Sequence, residues 1–296
     1  MQKSTQNKNC IIIATPAKII RTQNSIMKAI LCSFVLISGL LTCSSITNAQ
    51  RVNINPTLLS FNAAAGESSS QTITIANISN EKQVFQLSLG DWLRDSLGNH
   101  QYLKAGTLSR SCANWIKLDN SFIEIEPRTS KEIRVTLNAP TDTLMLKEMK
   151  WAMLFVQNVK EQENSKKKKG KVNAVINEIF RFGIHLYQIP PGIHNFEAKA
   201  IDLRPDKNLK GSYNFFVRNT GNVMLQCQAR LELTNMETGE EIKLERVEFP
   251  IFPDANRTIP LAIPSNLKKG RYSALAMLEY HDDMPLEAIE MTIEIK

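Results

Sequence analysis

Histidine, aspartate and glutamate could do chemistry in this chain, but they rarely stand together. "YHDDM", Tyr280–Met284, gathers His281, Asp282 and Asp283 where a strand pattern ends. Those types ligate metals, yet adjacent positions lack the spacing of a ligand set. A turn with solvated acids is the plainer reading, and no metal site is assigned. "SFIEIEP" places Glu124 and Glu126 on one strand face. A carboxylate pair can do acid–base work. Alternate glutamates also mark the wet face of an edge strand, where they deter aggregation. His100, His185, His194 and His281 are scattered, and there is no HExxH, CxxC, G-x-S-x-G or glycine-rich phosphate loop. Trp92, Trp115 and Trp151 could form a sugar platform, but nothing in the sequence groups them and the strand-rich context favours core. The chain reads as a non-enzyme with no cofactor.

A polypeptide can also act through its own backbone. "KKKKGKVNAVINEIFRFGIHLYQIPP", Lys166–Pro191, carries a long alternation. One row is Val172, Ala174, Ile176, Glu178, Phe180, Phe182, Ile184 and Leu186; the other is Asn173, Val175, Asn177, Ile179, Arg181, Gly183, His185 and Tyr187. Period two means a strand with one apolar face. Val172 to Tyr187 is 16 residues, about 50 Å at roughly 3.3 Å each, where an ordinary strand has about five or six. Two readings stand on pattern alone. The surplus row pairs with another chain by strand addition, or a bulge near Glu178 splits it into two ordinary strands consumed internally.

The elements that must hold this strand are themselves strands. "QTITIANIS", "KQVFQLSLGDWL", "FIEIEP", "KEIRVTLNAP" and "KWAMLFVQNV" are short alternating or apolar runs, broken by turn signals such as "DSLGNH" and "PRTS". "IPPG", Ile189–Gly192, cannot continue a ladder. After it the pattern restarts through "GSYNFFVRNTG", "VMLQCQARLELTN" and "KGRYSALAMLEYH". The expectation is an all-β chain of two immunoglobulin-like β-sandwich domains in tandem, 50–188 and 193–296, with a hinge at 189–192 and seven strands in the second.

The first 49 residues read differently. Met27, Lys28, an apolar stretch from Ala29 to Leu41 and "TNA" ending at Ala49 make a secretory signal of 23 residues. Residues 1–26 then read as a start-site artefact or extension. A lipid anchor on Cys43 is the weaker alternative, because Thr42 stands where a smaller residue is usual. The apolar stretch is too short to span a bilayer, and no later segment is apolar enough. The leader also accounts for most of the basicity. Residues 1–49 hold five bases and no acid; 36 bases less five leaves 31 against 29 acids, a net of +2. That removes the global case for nucleic-acid binding. A basic loop remains locally, Lys166, Lys167, Lys168, Lys169 and Lys171, read as a solvated tip. Cys112 and Cys227 are the cysteines left after the leader, and each reads as a small buried apolar residue.

The series "RVNINPTLLSF", "FIEIEPRTSKEIRVTL", "KWAMLFVQNVKE" and "FRFGIHLYQIPP" resembles, in order and spacing, the first domain of the PapD-like periplasmic pilus chaperones. The second half resembles immunoglobulin-like domains only generically. The resemblance implies an exported, periplasmic assembly factor whose partner is a pilus or surface subunit. It also implies that the last strand of the first domain is donated to that subunit, with Val172, Ala174, Ile176, Phe180 and Phe182 as the inserted row. The family anchors the subunit's C-terminal carboxylate on two basic residues. Here the first falls at Leu58 and the second near Ile184, with Arg181 and His185 as the nearby basic candidates. That departure favours the other function kept open, a structural immunoglobulin-like component of an envelope or surface assembly.

Overall fold

A computed structural model describes residues 51–159 and 179–296. Among them there is no α-helix, and 18 strands form four sheets. The all-β class and the pair of β-sandwiches expected from the sequence are what the structure has.

The first sandwich is built from β1 (Val52–Asn55), β2 (Leu58–Phe61), β3 (Ser68–Asn77), β4 (Gln83–Arg94), β5 (His100–Lys104), β6 (Ile116–Leu118), β7 (Phe122–Ile125), β8 (Ser130–Asn138), β9 (Lys150–Asn158) and β10 (Arg181–Gln188). One sheet runs β1-β3-β8-β6; the other runs β2-β10-β9-β4-β5, with β7 also on β4. "RVNINPTLLSF" is therefore not one strand. Its first part pairs antiparallel with β3, and after Pro56 the chain crosses to the opposite sheet and pairs parallel with β10. Alternation fills the space between the sheets with Ile73, Ile75, Phe85, Leu87, Ile133, Val135, Leu137, Ala152, Leu154, Val156, Ile184 and Leu186.

The second sandwich uses β11 (Ala198–Pro205), β12 (Ser212–Asn219), β13 (Leu225–Asn235), β14 (Glu241–Lys243), β15 (Val247–Ile251), β16 (Asn256–Ala262), β17 (Gly270–Glu279) and β18 (Glu287–Ile295). Its sheets run β11-β12-β16 and β14-β13-β17-β18, with β15 on β13. There are eight strands rather than the expected seven. Every second residue of β13, from Leu225 through Cys227, Ala229 and Leu231 to Leu233, is buried. Cys112 and Cys227 are free and buried, one in each sandwich, and burial pushes both thiols up to about 12. They are inert at neutral pH.

Each sandwich closes one corner on a buried asparagine. Asn77 Nδ2 donates to the carbonyls of Glu81, Ile125 and Glu126. Asn219 Nδ2 donates to those of Val223 and Ile251. Each amide nitrogen is thereby satisfied inside its buried corner.

A candidate strand-addition edge and the aromatic face behind it

The described part of the long alternating row is β10, eight residues from Arg181. Val172, Ala174 and Ile176, with Lys166, Lys167, Lys168, Lys169 and Lys171, lie outside the described residues. Within β10 the two phases separate as the alternation requires. Ile184 and Leu186 are fully buried between the sheets, and Phe182 packs against that core. Arg181, Gly183, His185 and Tyr187 take the outer face. Phe180 is half-buried just before the strand, and its N–H donates to the Asn158 side chain.

The hydrogen-bonding directions of β10 follow from two contacts. Asn158 N–H donates to Phe180 C=O, which aims the even-numbered backbone groups at β9. His185 N–H donates to Thr57 C=O, which aims the odd-numbered groups the other way, toward β2. β2 reaches only His185–Gln188. Arg181 and Gly183 therefore point their N–H and C=O groups off the sheet, and among the described residues no strand receives them. Among the described residues, the edge along Arg181 to Ile184 has no strand beside it, and it borders an apolar core.

Behind that edge, the outer face of the same sheet carries a second apolar layer. β9 is apolar in both phases. Ala152, Leu154 and Val156 face the core, while Trp151, Met153 and Phe155 face outward with Trp92, Met149, Tyr187 and Phe252. Trp92 Nε1 donates to Ala152 C=O at 3.1 Å, and Trp151 Nε1 donates to Trp92 C=O at 2.8 Å. Both indoles are thus satisfied inside an apolar layer, as buried tryptophans require. Gly90 on β4 leaves room for the layer, since a Cβ there would fall 2.6 Å from Phe155 Cε2. Phe252 comes from the second sandwich. Its ring lies 5.0 Å from Trp92, 4.9 Å from Trp151 and 5.9 Å from Tyr187.

Polar contacts continue this junction. Arg110 pairs with Glu148 at 2.9 Å and with Asp254 of the second sandwich. Lys150, almost wholly buried, pairs with Glu148 at 2.7 Å and donates to Ser109 C=O. Met149 N–H donates to Asn222 C=O, and Thr258 N–H to Ser96 C=O. The buried Asp91 carboxylate accepts from Gly106 N, Leu108 N and Ser111 Oγ, which pins the loop carrying Arg110.

The basic candidates have other neighbours. The Arg181 guanidinium lies 3.6 Å over the Phe155 ring. His185 sits against Trp92 at 4.7 Å and His100 at 5.9 Å. Burial first, then His100 and Arg94, hold its pKa below 6.5. It carries no charge at neutral pH, so it supplies no permanent cation there. Leu58, where the resemblance puts a basic residue, is His185's register partner and is exposed. Glu124 and Glu126 sit on an exposed face on either side of Lys82. "YHDDM" forms a turn, with Met284 N–H donating to His281 C=O and the imidazole stacked 4.2 Å from Phe196.

Sequence reading left the tryptophans ungrouped, and the structure groups two of them. The available signal was "KWAMLFVQ": a strand apolar in both phases needs a cover on both faces. What covers its outer face is set by Trp92 and Phe252, distant in sequence.

No family model matches the chain, and no curated protein matches it. Solved structures do. A chaperone–tip adhesin complex of CFA/I fimbriae biogenesis aligns at TM-score 0.48 and 11% identity, over 82% of this chain and 98% of that one. The class 5 fimbriae chaperone CfaA aligns at 0.46 and 10%, over 81% and 98%. The E. coli chaperone DraB aligns at 0.42 and 12%, over 83% and 95%. At these identities and scores the likenesses assign neither residues nor activity to this chain.

Proposed function

We propose that this protein is an exported, chaperone-like assembly factor that binds a pilus or surface subunit by strand addition at the β10 edge. The observation that supports the reading is the backbone of Arg181 and Gly183, unpaired among the described residues, beside a core-facing row that includes Phe182 and Ile184, with Phe180 half-buried just before it. Exposed sheet edges invite pairing and are normally blunted. An extended segment laid along this edge satisfies the outward groups, while its alternate side chains meet the apolar row. In the proposal the row continues through Val172, Ala174 and Ile176, and the lysines at 166–169 and 171 flank it. Export is by the signal at 27–49, and the mature chain divides at 189–192.

The test is site-specific photocrosslinking in the native host from position 183, with Ser130 on the other sheet as control. The reading expects one envelope polypeptide joined at 183 and absent at 130. It also expects the Gly183 amide to exchange fast in the free protein and slowly in the complex. Adducts at both positions or at neither, with a Gly183 amide already slow in the free protein, would sink it and leave the structural role as the alternative.

A further inference from the structure

We propose that Arg94 and Arg257 form an oxoanion-binding site where the β4–β5 hairpin of the first sandwich meets β16 of the second. This goes beyond strand addition and uses no residue of the β10 edge.

Arg257 retains 8% of its surface in solvent. One hydrogen bond serves its guanidinium, from Nη1 to Pro250 C=O at 3.0 Å, and its Nε is buried with no partner. Arg94 is alike: Nη1 reaches Gly98 C=O at 3.4 Å, and its Nε is also buried without a partner. Among the described residues neither arginine forms an ion pair with a carboxylate. The two converge on Gly98. The hairpin backbone lies directly on the Arg257 guanidinium, where a Gly98 Cβ would fall 2.6 Å from Nη2; Gly98 has φ +96. Thr258 N–H donates to Ser96 C=O and holds the hairpin there.

Two guanidinium groups within electrostatic reach of each other, one of them almost wholly buried, are an unbalanced arrangement. A buried charge is ordinarily paired, and a guanidinium does not shed its proton in a protein. The described groups facing the pair supply only part of the balance. Asp95, its charged carboxylate held by Leu97 N, Asn99 N and Asn99 Nδ2 in its own turn, is in reach of Arg257 and offsets one of the two positive charges. His100 and His185, which Arg94 also faces, are both held neutral. Cys227 is a buried thiol, and the Tyr187 phenol is pushed up to about 12. The missing partner is an anion whose oxygens accept several N–H groups, as a carboxylate or a phosphate does.

The experiment is an NMR titration of the arginine Nε–H signals of the purified protein at neutral pH and low salt, with sodium phosphate in one arm and sodium acetate in the other. The Arg94 and Arg257 signals should shift together and saturate at millimolar anion. The arm that binds tighter identifies the ligand class. Arg94→Gln, on a partly exposed side chain, should weaken binding about tenfold or more. Arg257→Gln should do the same, and Arg257→Lys should retain part of it. Arg181→Pro should leave the titration unchanged, so this proposal and the edge reading fail separately. The proposal is overturned if neither anion moves the two signals, or if Arg94→Gln titrates like the parent.

Discussion

Replacing Arg181 with proline tests the β10 edge at the atom that matters. The open edge presents two donors and two acceptors, the N–H and C=O groups of Arg181 and Gly183. At about 0.5–1.5 kcal/mol net per bond, four bonds give about 2–6 kcal/mol. Association itself costs about 4–15 kcal/mol, so backbone pairing here does not hold a partner alone. Apolar side chains from the partner must contribute the remainder. Arg181→Pro deletes one donor, which weakens binding about two- to tenfold, and the ring crowds the incoming strand further. The fold should tolerate the change. Arg181 opens β10, its N–H points away from β9, and proline is accepted at the first residue of a strand. The loss is the stacking on Phe155, about 0.5–1 kcal/mol for a cation at an exposed site. That corresponds to a melting shift of no more than about 2–4 °C for a chain of this size. The assay pairs the affinity for the crosslinked subunit with backbone amide exchange in the free protein. In the parent, Phe182 and Ile184 should exchange slowly and Gly183 fast. Equal protection at 183 and 184, or unchanged affinity in a folded Arg181→Pro protein, refutes the reasoning.

Three further outcomes follow from the junction. Phe252→Ala removes a ring packed on Trp92, Trp151 and Tyr187. It should destabilise by about 3–5 kcal/mol and split one calorimetric transition into two, and a single unshifted transition would count against a shared aromatic layer. Gly90→Ala puts a methyl 2.6 Å from Phe155 Cε2 and 3.1 Å from the Leu103 carbonyl oxygen. The expected loss is about 1–3 kcal/mol in urea unfolding, and Phe155→Leu in the same chain should recover part of it. His185 and His100 are both held below 6.5 in the fold, mainly by burial, so the unfolded chain binds their protons more readily. Their contribution to stability is complete above pH 6.5 and declines as pH falls below it. Urea midpoints between about pH 7.5 and 5 should show that decline, and His185→Gln should flatten it.

The sequence alone determined the class and the division of labour along each strand. Period-two alternation in "QTITIANIS", "KEIRVTL" and "LQCQARLEL" assigns one face of each strand to a core, because successive side chains point to opposite sides of a sheet. The interruption at "IPPG" follows equally directly, since two prolines cannot donate to a ladder. The buried state of Cys112 and Cys227 was readable from their type. Sheet membership was not. "RVNINPTLLSF" looks continuous, yet its halves pair in opposite sheets. Only the third dimension shows that β2 stops short and that, among the described residues, no strand pairs with Arg181 and Gly183. Nor could one-dimensional pattern bring Trp92, Trp151 and Phe252 together, or set Arg257 beneath Gly98. Alternation records how each strand divides inside from outside, a local property of the backbone. Which outside becomes an inside, and which charges are brought together, depends on contacts between residues far apart in the chain, and tertiary packing alone decides those.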